Sequence, residues 1–138
     1  MSIREKAREL SIQALYQYAL RGPEDRAEIQ RFSWVEKEGS ERVTEQAGEW
    51  VDAVLADLEA IDAVIDTHLA NWTSDRLGVL ERAILRLAVY ELRADTALAV
   101  EIIIDEAVKL AKRFCGADSF KFVNGVLDAV ATTLGRKV

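Results

Sequence analysis

Apolar residues recur every three or four positions through most of this chain, the spacing of helices that bury one face. The first stripe, Ile3, Ala7, Leu10, Ala14 and Tyr18, follows Ser2 and Glu5 in capping-box spacing and stops at Gly22-Pro23. That predicts a helix of about five turns. A shorter, less regular helix is expected over Glu24–Trp34, carrying Ile29 and Phe32, before a polar break at residues 36–40. From Glu41, the positions Val43, Ala47, Trp50, Val54, Leu58, Ile61, Ile65 and Leu69 hold helical spacing for about eight turns. This exceeds most globular helices, so a break is expected near Glu59–Asp62. Thr73 or Ser74 can cap the next helix, which carries Leu80, Ala83, Ile84, Leu87 and Leu92, with Gly78 a candidate for its true start. A loop at residues 93–96, a helix to Phe114, a stop at Gly116 and a last helix from Asp118 or Ser119 to Leu134, with Gly135 behind it, complete the pattern. No strand alternation appears, so the expectation is an all-α protein of six or seven helices.

A length of 138 residues suits one domain, here residues 1–138, large enough to bury about two thirds of its unfolded surface without a staple. Cys115 is the only cysteine and His68 the only histidine. An internal disulfide is excluded, and so is a Cys/His zinc site built from this chain alone. No run approaches the roughly 18 apolar residues of a membrane span, and Met1–Lys6 lacks the apolar core of a signal peptide. A cytoplasmic protein with no membrane role is the expectation.

The net charge of −6 argues against a polyanion partner until it is resolved along the chain. Residues 24–75 hold four Lys/Arg against fourteen Asp/Glu, whereas residues 76–138 hold ten against eight and residues 1–23 four against two. The two ends could therefore fold into one weakly basic surface. Within the C-terminal part, Lys109, Lys112, Arg113 and Lys121 gather around the turn at residues 115–119, with Phe114, Phe120 and Phe122 among them. Cations interleaved with aromatic rings suit single-stranded nucleic acid, because phosphates attract positive charge and unpaired bases stack on flat apolar faces. Weak overall basicity predicts modest intrinsic RNA affinity and help from a second protein.

Laid out in this way, the chain resembles the NusB family of bacterial transcription antitermination factors along nearly its whole length. The resemblance lies in Ala7-Arg8 with residues 13–17 (QALYQ), in residues 80–92 (LERAILRLAVYEL), and above all in residues 105–114 (DEAVKLAKRF) and 118–128 (DSFKFVNGVLD). It implies two packed helical bundles and binding of boxA RNA together with the ribosomal protein NusE, within the antitermination complex of RNA polymerase. It carries no catalysis and no cofactor. The chain departs from the family pattern in its shorter basic N-terminus, where Arg4, Lys6 and Arg8 remain, and in having Ala99 and Asp105 where Pro and Asn are frequent.

Single residues can then be weighed. Lys6, Gln13 and Gln17 share one flank of the first helix, with Tyr16 further round and Arg4 and Arg8 on the other flank. From spacing alone this is a solvated face; the resemblance makes Arg4, Lys6, Arg8, Gln13 and Tyr16 candidates for RNA contact, Tyr16 by stacking. Phe120 and Phe122 point to different sides of one helix, and Phe120 aligns with Val123 and Leu127, so Phe122 is expected to be the exposed ring and a candidate for RNA contact, with burial in the core as the alternative. Lys112, Arg113 and Lys121 are candidate phosphate contacts, with a solvated face as the alternative. Asp118 is expected to cap the last helix, to accept a hydrogen bond from a base edge, or both. Asn124 is expected to be buried, and Gly125 to permit a tight helix contact. The resemblance further suggests that Asp75, Arg76, Glu81 and Arg82 meet NusE.

Enzyme chemistries find no support in the sequence. No Glu-x-x-His pair, Gly-rich phosphate loop or G-x-S-x-G turn is present, and Cys115 has no histidine at a suggestive spacing. Two other readings compete with the RNA adaptor. One is a helical protein–protein module or homodimer burying the first helix's stripe; the other is the NusB-like domain of an RNA methyltransferase, disfavoured because the chain ends at Val138 with no catalytic domain.

Overall fold

The computed structural model describes residues 2–35, 41–69, 77–94, 97–116 and 118–136. Among them every regular element is helical: α1 (Ile3–Arg21), a 3-10 turn (Pro23–Asp25), α2 (Arg26–Ile29), α3 (Glu41–Ala56), α4 (Leu58–Thr67), α5 (Val79–Ala94), α6 (Val100–Phe114) and α7 (Ser119–Thr133). The capping box at the start of α1 forms as the sequence predicts. Ser2 Oγ accepts from the Glu5 amide at 3.1 Å, and Glu5 Oε1 accepts from the Ser2 amide at 3.4 Å. At the other end of the chain, Gly135 takes φ 73° and the Arg136 amide donates to Ala131 O at 2.9 Å, closing α7 in a Schellman motif that a side chain with a Cβ would strain.

Helix α5 is the hub of the fold. It packs against α1 and α3 on one side and α4, α6 and α7 on the other, while α1 pairs with α3 and α6 with α7. Ala83, Ile84, Leu85, Leu87, Ala88, Val89 and Leu92 are buried, so α5 is apolar nearly all round, as a helix enclosed by two bundles must be. The remaining polar residue of its buried surface, Glu91, is matched by Arg8 of α1. Arg8 donates to both Glu91 oxygens, at 2.8 and 3.2 Å, and its guanidinium lies 5.4 Å from the Trp50 ring centroid of α3. This pair ties three helices together in a low-dielectric setting.

The structure corrects several expectations. The break in the long predicted helix falls at Asp57, just before the expected Glu59–Asp62. The expected helix over residues 24–34 is instead a 3-10 turn and a single helical turn, followed by Phe32 at φ 55°. Ile29 and Phe32 are nevertheless buried, and Trp34 Nε1 donates to Ile29 O at 2.9 Å to hold the bend. Thr73 and Ser74 lie outside the described residues; Gly78 does precede α5, and its amide donates to Glu81 Oε2 at 3.0 Å. Asn124 is exposed, since it lies past the edge of the face formed by the two buried ladders of α7. Ala7, Leu10 and Ala14, the stripe considered for a dimer, are already buried within the chain by α3 and α5.

Ion pairs brace the helices from outside. Asp62 of α4 accepts two bonds of 2.8 Å from Arg86 of α5, Arg82 reaches Asp66 at 2.9 Å, and Arg93 reaches Asp57 at 2.9 Å. His68 joins α4 to α7: Nδ1 donates to Val64 O at 2.7 Å, leaving Nε2 to accept from the Thr133 hydroxyl at 2.8 Å. Arg136 donates to Leu92 O and Leu98 O at 2.7 and 2.8 Å, capping carbonyls at the end of α5 and beyond it.

Candidate nucleic-acid interface

Helix α6 ends where the Cys115 amide bonds Ala111 O at 2.9 Å and Cys115 turns extended; Ser119 N then bonds Gly116 O at 3.1 Å. Lys112 and Arg113 occupy the last turn of α6, where positive charge is favoured by the exposed carbonyl end. Lys121 lies in the first turn of α7. These cations are arranged on rings. Lys112 Nζ stands 4.7 Å and Lys121 Nζ 6.0 Å from the Phe120 centroid, and the Arg113 guanidinium stands 5.0 Å from that of Phe114. Lys112, Arg113 and Lys121 are all exposed.

The aromatic assignment is reversed from expectation. Phe122 is 2% exposed, and so cannot stack on a base without unfolding; Phe114 is 39% exposed and Phe120 half-buried. The reason is that α7 buries two ladders, Phe122–Val126–Val130 and Val123–Leu127–Ala131, so the apolar face is wider than one stripe. Phe120 stands at the rim of that face, in the first turn, under its two lysines. Asp118 occupies the N-cap position of α7 and is exposed, but its side chain makes no cap hydrogen bond. The expected capping role is therefore positional only.

Helix α1 runs alongside this turn. Arg113 donates to Glu9, and the Glu5 carboxyl, held below its usual range by hydrogen bonds from the Ser2 side chain and backbone, also feels the charge of Lys109. The Arg113–Glu9 pair joins the last turn of α6 directly to α1. Gln13 and Tyr16 follow Glu9 at i+4 and i+7 on the same face, about 6 Å and about 10 Å further along α1. Tyr16 is 37% exposed, and Gln13 and Lys6 are exposed.

The two N-terminal arginines have other employment. Arg8 is 3% exposed and its guanidinium is committed to Glu91, so the expectation that it meets RNA is overturned. Arg4 keeps a side chain 43% exposed, yet it too reaches Glu91, at 3.4 Å, and lies 5.5 Å from the Trp50 centroid. Position-by-position spacing missed this because Arg8 and Ser11 lie on a buried face otherwise marked by Ile12 and Leu15; Ser11 hides its hydroxyl on Ala7 O at 2.8 Å. Glu9, which pairs with Arg113 of α6, was missed as well, although its i+4 relation to Gln13 marks the shared face.

Of the residues expected to meet a protein partner, Asp75 and Arg76 lie outside the described residues. Glu81 is half-buried at the start of α5 beside Cys115, and Arg82 is engaged with Asp62 and Asp66. Burial, and then the hydrogen bond and charge of Glu81, push the Cys115 thiol up to about 12, so it is a poor nucleophile. Among the described residues no cluster of His, Cys, Asp and Glu could hold a metal ion, and no helix is long and apolar enough to cross a membrane.

Comparison with known proteins identifies close relatives. The model of the NusB family matches residues 5–132. The transcription antitermination protein NusB of Desulfotalea psychrophila is 41% identical over 138 residues, covering 96% of this chain and 97% of the relative. That of a Nitratiruptor species is 43% identical over 134 residues, covering 95% and 93%. Among solved structures, T. maritima NusB superposes with a TM-score of 0.83 at 35% identity, covering 94% of this chain and 90% of that one. A crystal structure of antitermination factors NusB and NusE in complex with double-stranded RNA gives a TM-score of 0.76 at 32% identity, covering 96% and 98%.

Proposed function

The chain belongs to the NusB family, and on that premise we propose that it is a cytoplasmic transcription antitermination factor that binds boxA-type single-stranded RNA cooperatively with NusE. It acts by binding, with no catalytic step. The observation that carries the RNA face is Phe120 held between Lys112 and Lys121, beside Arg113 on the exposed Phe114, in a protein whose net charge is −6. Lysines there attract phosphates without regard to sequence, while Phe114 and Tyr16 offer surfaces for unpaired bases. Asp118, with no helix amide to satisfy it, is free to accept from a base amino group and so to supply sequence preference.

NusE docks on a different surface, which includes the start of α5 around Glu81 and Arg82, and each ligand presents part of the other's site. The coupling is then reciprocal, NusE tightening RNA by the factor by which RNA tightens NusE. The test is fluorescence anisotropy of labelled boxA RNA, a scrambled strand and a duplex of the boxA sequence, each with and without NusE across a salt series. The expected result is preference for the boxA strand, enhanced by NusE. Affinity indifferent to both sequence and NusE would overturn the proposal.

A further inference from the structure

The cations of the α6–α7 turn are not equally available. Lys112 and Lys121 are exposed and, among the described residues, no carboxylate lies within ion-pair distance of either. Arg113 differs: its guanidinium is bound to the carboxylate of Glu9, which reaches it from α1. The Glu9 side chain is only 16% exposed, whereas that of Arg113 is 56% exposed. The carboxylate is thus largely enclosed by the fold, whereas the arginine faces solvent. A phosphate approaching Arg113 meets a cation already neutralised by a group that the fold cannot easily withdraw. One turn earlier the cation is served differently: Lys109 Nζ lies 3.5 Å from Glu106 of its own helix, and Glu5 only feels its charge from beyond ion-pair distance.

Resting on the RNA-binding reading above, we propose that Glu9 is an internal competitor of the RNA phosphate for Arg113, a residue that sets the intrinsic RNA affinity low. Glu9, on the α1 flank of the cationic rim, occupies Arg113 in the absence of RNA. When a phosphate binds, Arg113 must leave Glu9 or share it, and the uncompensated Glu9 charge then repels the strand. Weak binding alone, with strong dependence on a second protein, follows from this self-pairing.

The test is the substitution Glu9→Gln, which keeps an oxygen to accept from Arg113 and so preserves its position while removing the charge. Binding of labelled boxA single strand is measured across salt for the wild type, E9Q, R113Q and the E9Q/R113Q double variant, with the thermal midpoint of each as a folding check. E9Q is expected to bind about two- to fivefold more tightly, the scale of one partly exposed ion pair. Its slope of log affinity against log salt is expected to steepen by about 0.7, the release of one further counterion from a single strand. In the R113Q background the same change should have much less effect. Were E9Q itself to misfold, E9D, which shortens the reach of the carboxylate, should shift affinity in the same direction by less. A wild type that binds while folded E9Q binds equally or more weakly overturns the competitor role alone, because Glu9 then only positions Arg113. Absence of binding by wild type and variants alike overturns the RNA interface itself and this role with it.

Discussion

The arginines of α5 and the lysines around the α6–α7 turn carry the same charge in opposite circumstances. Arg82, Arg86 and Arg93 each end on an aspartate of the α4 region, and Arg26 of α2 ends on Asp52 of α3 at 3.0 Å. Those acids all come from residues 24–75, the acidic stretch of the sequence. Its charge therefore serves to tie helices together as well as to face solvent. Lys112 and Lys121 find a ring in place of a carboxylate, and a cation resting on a ring retains its attraction for an anion. On the proposed RNA-binding reading, the capacity to bind a polyanion is left where the fold withholds carboxylates, and counting basic residues along the chain does not locate it. Arg113, paired with Glu9, stands between the two cases.

The comparison can be sharpened by breaking each side of it. The largest expected effect is on stability at the most enclosed pair: Glu91→Ala strands Arg8, whose side chain is 4% exposed, and should cost about 3–5 kcal/mol in urea unfolding. A cost under about 1 kcal/mol would show that Arg8 is solvated by other means. Next, Phe114→Ala should weaken boxA binding by about 1–3 kcal/mol with little change in salt slope, as loss of a stacking surface does. A change in slope with no loss at high salt would contradict a stacking role. Asp62→Ala should lower stability by about 1–2 kcal/mol through the loss of two charge-assisted bonds to Arg86, and should leave RNA affinity of the folded protein unchanged.

The smallest effect concerns pH. Hydrogen bonds from Gln30 and then Arg26 hold the Asp52 carboxyl below its usual range. A depressed folded pKa gives stability that is present above the unfolded carboxyl value and disappears as pH falls through the folded one. Asp52→Asn should therefore flatten the acid limb of a thermal-midpoint curve between about pH 5 and pH 2. An identical limb would mean that the Asp52 bonds contribute nothing to folding.

Much of the architecture was legible because helical periodicity, capping residues and glycine stops are local signals. The capping box of Ser2 and Glu5, the start of α5 after Gly78 and the stop at Gly135 follow from residue type and spacing alone. What escaped was set by contacts between distant segments. Arg8 reads as a surface cation until Glu91, 83 residues away, is known to face it. Phe122 reads as an edge residue until α7 is seen to bury two ladders, and Arg136, a cation near the chain end, gives no hint that it caps α5. The candidate site was legible as a region, the turn between α6 and α7, and not as a set of side chains. Burial decides which ring and which cation remain accessible, and burial is a property of the assembled helices.

The central claim is that the turn's cations, and not those of α5, face the polyanion. It is tested most directly by comparing the salt dependence of boxA binding, measured without NusE, in Lys112→Gln/Lys121→Gln with that in Arg86→Gln/Arg93→Gln, two variants that lose the same charge. The first should lose about 1.4 from the slope of log affinity against log salt, two phosphate contacts on a single strand, while the second keeps the wild-type slope. Equal losses in both, or a loss in the second alone, would contradict the account.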